Sequence, residues 1–232
     1  MRFLAAIKLG ALGGSFNPIH SGHLHVARRI QRLFRLSQIH FVVAATPPHK
    51  PADCLAPLIH RYAMVCLALA GSRTLSPSLL ELEAPASPFS LHTLRKLERS
   101  AASGDAVVYF IAGGDSLCDV GTWHQSEKLL SAFNFIFVSR PGAGVGDPAR
   151  FLPPQVMGRI IDLRDRTVGF VRTSIRRHET GKGLHIYLLD VGAPDISASE
   201  IRSRVAARKG IDGLVPARIR DYILRHHLYG DR

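Results

Sequence analysis

Five apolar runs of strand length recur along the chain: residues 4–12, "IHFVVAA" at 39–45, "AVVYFIAGG" at 106–114, "FNFIFVS" at 133–139 and "LHIYLLDV" at 184–191. They are nearly continuous in aliphatic and aromatic residues rather than alternating, the pattern of strands buried on both faces. Segments of helical period fill the intervals, at roughly 22–36, 58–71, 90–102 and 124–132. In the first of these, Leu24, Ala27, Ile30, Leu33 and Phe34 recur near the helical period and define one stripe. Strand and helix alternating in this way predict βα units around a largely parallel sheet, an α/β fold. Ligands of such sheets bind at the carboxyl ends of the strands, where the chain turns into helices.

Residues 141–182 break the pattern. They run through "PGAGVGDP" and "LPPQ" and carry Arg159, Arg164, Arg166, Arg172, Arg176, Arg177 and Lys182 against Asp162, Asp165 and Glu179. This reads as a mobile or peripheral excursion with a solvated basic surface. Beyond it, "ISASEIRSRVAARKG" and "VPARIRDYILRHHLYG" predict two closing helices with Gly210 and Gly230 as C-caps. The expected organisation is one domain over 1–232: an α/β core to about 195, the basic excursion at 143–182 within it, and a helical part from about 196.

Composition narrows the class. At 232 residues the chain can bury a sizeable core without disulfide or metal staples. Cys54, Cys66 and Cys118 show no C-x-x-C spacing, which fits a reducing, cytoplasmic setting rather than a disulfide framework or a thiolate zinc site. No run approaches eighteen apolar residues, so neither export nor a membrane span is expected. The formal net charge of +12 sets up a field that attracts phosphates of any kind.

Chemistry concentrates in the turn after the first strand, "GALGGSFNPIHSGHLHVARRI" at 10–30. Gly13 and Gly14 let main chain approach a ligand, and a helix starting near Gly22 offers N–H groups and a positive dipole end to an anion. The turn contains neither the phosphate loop G-x-x-x-x-G-K-[ST] nor the dinucleotide fingerprint G-x-G-x-x-G. His20 and His23, three apart at the helix start, can face one point above the glycines and donate to phosphoryl oxygens. The turn has no carboxylate or thiol to complete a metal site; capping and surface histidines are the plainer alternative.

"GGSFNPIHSGHL" resembles the signature of the H-x-G-H nucleotidyltransferases, in particular bacterial nicotinate-nucleotide adenylyltransferases, with Asn17 where that family has Asp. "TPPHK" at 46–50, "HRYAM" at 60–64, "PFSLHTL" at 88–94, "FIAGGDSLCDVGTW" at 110–123, "SRPG" at 139–142 and "ISASEIR" at 196–202 resemble further family segments in order. The resemblance implies a Rossmann-like, doubly wound sheet with a small C-terminal helical part. It implies adenylyl transfer from ATP to nicotinate mononucleotide, giving nicotinate adenine dinucleotide and pyrophosphate, with Mg²⁺ accompanying ATP. The nicotinamide mononucleotide is the alternative acceptor, since the two differ only at the ring substituent.

The resemblance also assigns residues. His20 and His23 stabilise the reacting phosphates, and Gly14, Ser15, Phe16 and Gly22 hold ATP with them. Lys50, with His49, assists at the triphosphate. Gly113 and Asp115 address the adenosine side, Asp115 through ribose hydroxyls, with a turn-forming Asp as its plainer alternative. Ile196, Ser199 and Arg202 complete the nucleotide site, the latter two toward the β- and γ-phosphates; Ser197 and Glu200 are equally readable as a capping box that only starts a helix. On the mononucleotide side stand Ser15, Phe89, Ser90, Arg140 and Trp123, the last stacking on the pyridine ring. Pro88 and Phe89, in place of the family's Ser-Tyr, remove two hydroxyls and one N–H beside the ring carboxylate. A nucleic-acid role motivated by the arginines of 159–182 and 202–225 is the distant alternative, because no base-stacking motif interleaves with them. Homo-oligomer formation is left open.

Overall fold

The computed structural model describes residues 6–45, 55–81, 90–100, 106–139, 146–179 and 183–230. Seven strands, β1 (Ile7–Gly14), β2 (Gln38–Val43), β3 (Leu75–Ser78), β4 (Ala106–Gly113), β5 (Asn134–Ser139), β6 (Ile160–Asp162) and β7 (Ile186–Asp190), form one sheet in the order β3-β2-β1-β4-β5-β7-β6. Every pairing is parallel. Strand order reverses between β1 and β4, and the register that pairs Leu12 with Ile111 sets Gly14 beside Gly113 at the carboxyl edge. That reversal is the switch point at which open α/β sheets bind ligands.

Alternate residues of the central strands enter opposite cores. Leu12, Ile111 and Ile136 face α1 (Ser21–Phe34), α2 (Leu58–Leu69), α6 (Val168–Glu179), α7 (Ala198–Ala206) and α8 (Ala217–Arg225). Ala11, Phe110 and Phe135 face α3 (Ser90–Ser100), α4 (Gly114–Asp119) and α5 (Ser126–Ala132). The predicted α1 stripe is the buried one for Leu24, Ala27, Ile30 and Phe34, and the helix stops where Arg35 turns left-handed at φ 53°. Ile201, Ile219 and Ile223 join the first core, so the C-terminal helices share the sheet's packing.

Several expectations need correction. The stretch read as a mobile or peripheral excursion contributes, within its described residues 146–179, the edge strand β6 and the helix α6. Leu163, Val171 and Ile175 are buried there, at a spacing that the surrounding arginines masked. Arg159 is not simply solvated: its guanidinium donates to the carbonyls of Leu184 (2.8 Å), Phe133 (2.9 Å) and Leu130, clamping β6 to the ends of β5 and α5. Arg166, Arg172, Arg176 and Arg177 are exposed, as the solvated reading expected. Gly210 and Gly230 do not cap: α7 ends at Ala206 with Ala207 as cap, and α8 at Arg225 with His226. Strands β3 and β6 and helix α4 escaped the pattern because they are only four, three and six residues long. Pro77 is tolerated within β3 because that strand lies at the sheet edge.

Candidate active site

A cleft of about 710 Å³ opens over the carboxyl ends of β1 and β4. Its floor is the turn predicted from the glycines: β1 runs through Gly13 and Gly14, and Ser15 leads into the loop that starts α1. Phe16 turns down with φ 44° and is 1 % exposed, its ring against Phe41 and edge-on to His23 at 5.1 Å. Phe16 is thus a core residue beneath the loop and does not line the cleft.

The loop is tied down from three directions. Asn17, 2 % exposed and joined to Pro18 by a cis peptide bond, accepts through Oδ1 from the Ala56 N–H (3.0 Å) and the Tyr229 hydroxyl (2.9 Å). Burial pushes the Tyr229 phenol above its ordinary pKa, so it remains a donor. The Asn17 carbonyl accepts from Arg202 Nη1 (2.9 Å), while Arg202 Nη2 donates to Ser199 Oγ (3.2 Å). From below, the buried Arg61 of α2 donates to the carbonyls of Ser15 (2.9 Å), Ala44 (2.8 Å), Ala45 (3.2 Å) and Ala56 (3.0 Å). One guanidinium thus fixes the histidine loop, the end of β2 and the start of the α2 segment together.

His20 is the N-cap of α1 and His23 its third residue. Their rings lie 3.7 Å apart, inclined by 32°, and the His20 N–H donates to His23 Nδ1 at 3.2 Å. An accepting Nδ1 leaves the proton of a neutral His23 on Nε2, as a donor. The capping alternative is thus borne out for this pair, and it engages Nδ1 of His23 rather than Nε2. A Cβ on Gly22 would sit 3.0 Å from His20 Nδ1, so the closeness of ring and helix depends on glycine there. No acid occupies the first turn of α1, and its positive dipole end is unopposed within the helix.

The facing walls come from β4, α3, α4 and the C-terminal crossover. A Cβ on Gly113 would lie 2.3 Å from Asp115 Oδ1; the carboxylate folds back over the strand end, where Oδ1 also accepts the Ser116 N–H at 3.1 Å. Trp123 is half-buried and stands perpendicular to Phe110 at 5.7 Å, on the cleft wall. Ser90 and Thr93, from the first turn of α3, and Ile196 also line it. Ser199 and Arg202 do not, though Arg202 grips the histidine loop. Ser197 is the N-cap of α7, its Oγ accepting from the Glu200 N–H at 3.0 Å, as the capping reading expected. Lys50, His49, Phe89 and Arg140 lie outside the described residues.

Three groups went unassigned at the level of sequence. Arg61 stood inside "HRYAM" as the one cation of an apolar helical segment, the signal that could have marked it. Tyr229 had no local signal, because its partner is 212 residues away. Glu81 lines the cleft, where burial raises its carboxyl pKa against hydrogen bonds from the Ala45 N–H and the Thr93 hydroxyl (3.4 Å). Among the described residues the lining carries Glu81, Asp115 and Asp119 but no Lys or Arg, so the donors it can turn to an anion are imidazoles, hydroxyls and main-chain N–H groups at the start of α1.

A family model described as cytidylyltransferase-like matches residues 11–204. The chain is similar to the probable nicotinate-nucleotide adenylyltransferase of Syntrophotalea carbinolica, 36% identical over 96% of this chain and 97% of that protein. It is similar to the one of Pelobacter propionicus at 34% identity over 97% and 99%. Among solved structures it resembles Plasmodium falciparum nicotinic acid mononucleotide adenylyltransferase complexed with NaAD, with TM-score 0.66, 22% identity, and 96% and 97% of the two chains covered; that is a likeness of fold.

Proposed function

Because this chain belongs to the cytidylyltransferase-like family, and within it to the nicotinate-nucleotide adenylyltransferases, we propose that it joins nicotinate mononucleotide to the adenylyl group of ATP. The mononucleotide 5′-phosphate oxygen forms a bond to the α-phosphorus, the bond from that phosphorus to the β-bridging oxygen breaks, and its electron pair leaves with pyrophosphate. The product is nicotinate adenine dinucleotide. A phosphate monoester has a second pKa near 6, so the attacker is already largely dianionic at neutral pH and no general base is needed. What remains is to align two polyanions and stabilise the charge that moves onto the leaving group.

The observation that carries this reading is the close, tilted pair His20 and His23 at the start of α1, lining a cleft whose other wall bears Trp123 and the first turn of α3. Phosphates at the imidazoles direct the adenosine toward Gly113, Asp115 and Ile196 and the pyridine ring toward Trp123 and Ser90. Gly14, Ser15 and Gly22 supply main chain at the phosphates. Arg202, outside the cleft lining, uses two of its five N–H donors on Asn17 and Ser199, and its three others would meet β- and γ-phosphates that extend past that lining. Lys50, Phe89 and Arg140 belong to the same reading through the family pattern alone.

A Mg²⁺ ion brought by ATP would offset phosphate charge. The residues fit an ion carried on the phosphates: the loop offers imidazole and N–H groups, while Asn17 Oδ1 is engaged by Ala56 and Tyr229. Hard oxygen ligands then come from the nucleotide itself. The test is pyrophosphate release with ATP, Mg²⁺ and each mononucleotide in turn. Release with the nicotinate form, exceeding that with the amide, is expected; no release with either overturns the reading.

A further inference from the structure

One half-buried acid of the cleft, Glu81, has no part in the phosphoryl chemistry itself. Glu81 follows β3 and lines the cleft together with Ala44, Ser90 and Thr93, whereas Asp115 and Asp119, the other described lining carboxylates, are exposed on the α4 side. Among the described residues, Glu81 takes hydrogen bonds from Ala45, just past β2, and from Thr93 in α3. Ala44 in turn donates its N–H to the Gly14 carbonyl in the histidine loop at 2.9 Å. Glu81 therefore stands between the phosphate-facing loop on one side and the helix that begins at Ser90 on the other.

A mononucleotide has the same order along its length: phosphate, ribose, ring. Laid with its phosphate at His20 and His23 and its ring between Ser90 and Trp123, it brings the ribose to the wall where Glu81 sits. An ionised carboxylate has about four lone-pair sites, and the two protein donors leave room for two more. A vicinal diol supplies two O–H donors at matching spacing, the pairing by which acidic side chains hold ribose in nucleotide sites. A carboxylate beside a polyanion would otherwise oppose binding, so a donor-rich neutral group is the partner this wall calls for. Burial raises the Glu81 carboxyl pKa, and hydroxyl donors to the carboxylate act in the opposite direction, as those of Ala45 and Thr93 already do.

We propose that Glu81 binds the ribose hydroxyls of the acceptor mononucleotide. This rests on the adenylyltransferase reading, and the experiment separates the two. Wild type, Glu81→Gln and Thr93→Val are assayed for pyrophosphate release with nicotinate mononucleotide and with its 2′-deoxy and 3′-deoxy analogues. Glu81→Gln is expected to raise the mononucleotide KM by about tenfold or more, the scale of a hydrogen bond to a charged group, with KM for ATP unchanged. Wild type should discriminate against at least one deoxy analogue by a similar factor, and Glu81→Gln should lose that discrimination. Thr93→Val, which removes the hydroxyl that donates to Glu81 but leaves the carboxylate, should keep it. Circular dichroism checks that each variant is folded, and equilibrium binding of the mononucleotide and its analogues gives the same comparison should turnover collapse. Equal penalties for ribose and deoxyribose acceptors in wild type and Glu81→Gln overturn the inference while leaving the reaction intact. A wild type that turns over neither mononucleotide overturns both.

Discussion

Replacing Arg61 by Met keeps a long side chain in place but removes the charge and every donor. Four carbonyls, of Ser15, Ala44, Ala45 and Ala56, then lose their guanidinium partner at once. An orphaned buried acceptor costs about 1–3 kcal/mol. Ser15, Ala44 and Ala45 are only half-buried, so water recovers part of that for three of the four, and removal of the costly guanidinium desolvation offsets more. A net loss of about 4 kcal/mol follows, the low end of the sum for four orphaned acceptors. Against a total stability of about 5–15 kcal/mol the variant stays folded at room temperature. At about 2–4 °C per kcal/mol for a chain of this length, Tm should fall by about 8–16 °C. Thermal melting followed by circular dichroism reads this directly. Turnover at 20 °C should also fall about tenfold or more, because the loop carrying His20 and His23 is no longer held to β2 and α2. Arg61→Lys, with three donors at one point, should land between. A Tm within about 3 °C of wild type together with normal turnover would refute the claim that one guanidinium organises the loop.

Further outcomes follow from the same geometry. His23→Ala should lower kcat by about 10²–10³ with Tm little changed, the usual loss for one preorganised donor; near-normal kcat in the purified variant removes His23 from the chemistry. Gly113→Ala sets a methyl where Asp115 Oδ1 now lies, 2.3 Å away, and should raise KM for ATP about tenfold while sparing KM for the mononucleotide; an unchanged KM for ATP shows that Asp115 has no part in nucleotide binding. Burial lowers the pKa of His40, and burial with nearby His178 and Arg159 lowers that of His185, so both stay neutral in the fold at a pH where the unfolded chain binds a proton near about 6.5. Stability should therefore fall as pH drops below about 6.5, until the folded histidines charge as well. The double variant His40→Asn, His185→Asn should show a shallower fall of Tm between pH 7 and 5.5, and parallel slopes would show that other groups set the dependence.

Local pattern was enough for the βα alternation, the α1 stripe and the glycine turn with its two histidines, because each is written in neighbouring residues with a period or spacing of its own. The histidines sit on one helical turn, so their mutual facing was legible from a spacing of three. Short elements were not legible: the three residues of β6 carry no period, and they form a strand only because β7 offers them an edge. Arginine density hid Val171 and Ile175, since a helix can expose guanidinium groups on one face while burying two aliphatic residues on the other.

By itself, then, the order of residues determined the parallel sheet, the position of the cleft at a strand-to-helix turn, and the glycines and paired histidines that line it there. Only the tertiary structure decided what holds that turn and what completes the cleft. Asn17 is fixed by Tyr229, 212 residues along the chain, and Ser15 by Arg61, 46 residues along. Glu81 reaches the cleft because β3 ends beside β2. Hydrogen bonds to main-chain carbonyls and to distant side chains leave no periodic trace in a sequence, since any residue supplies the carbonyl and only the fold brings the donor to it.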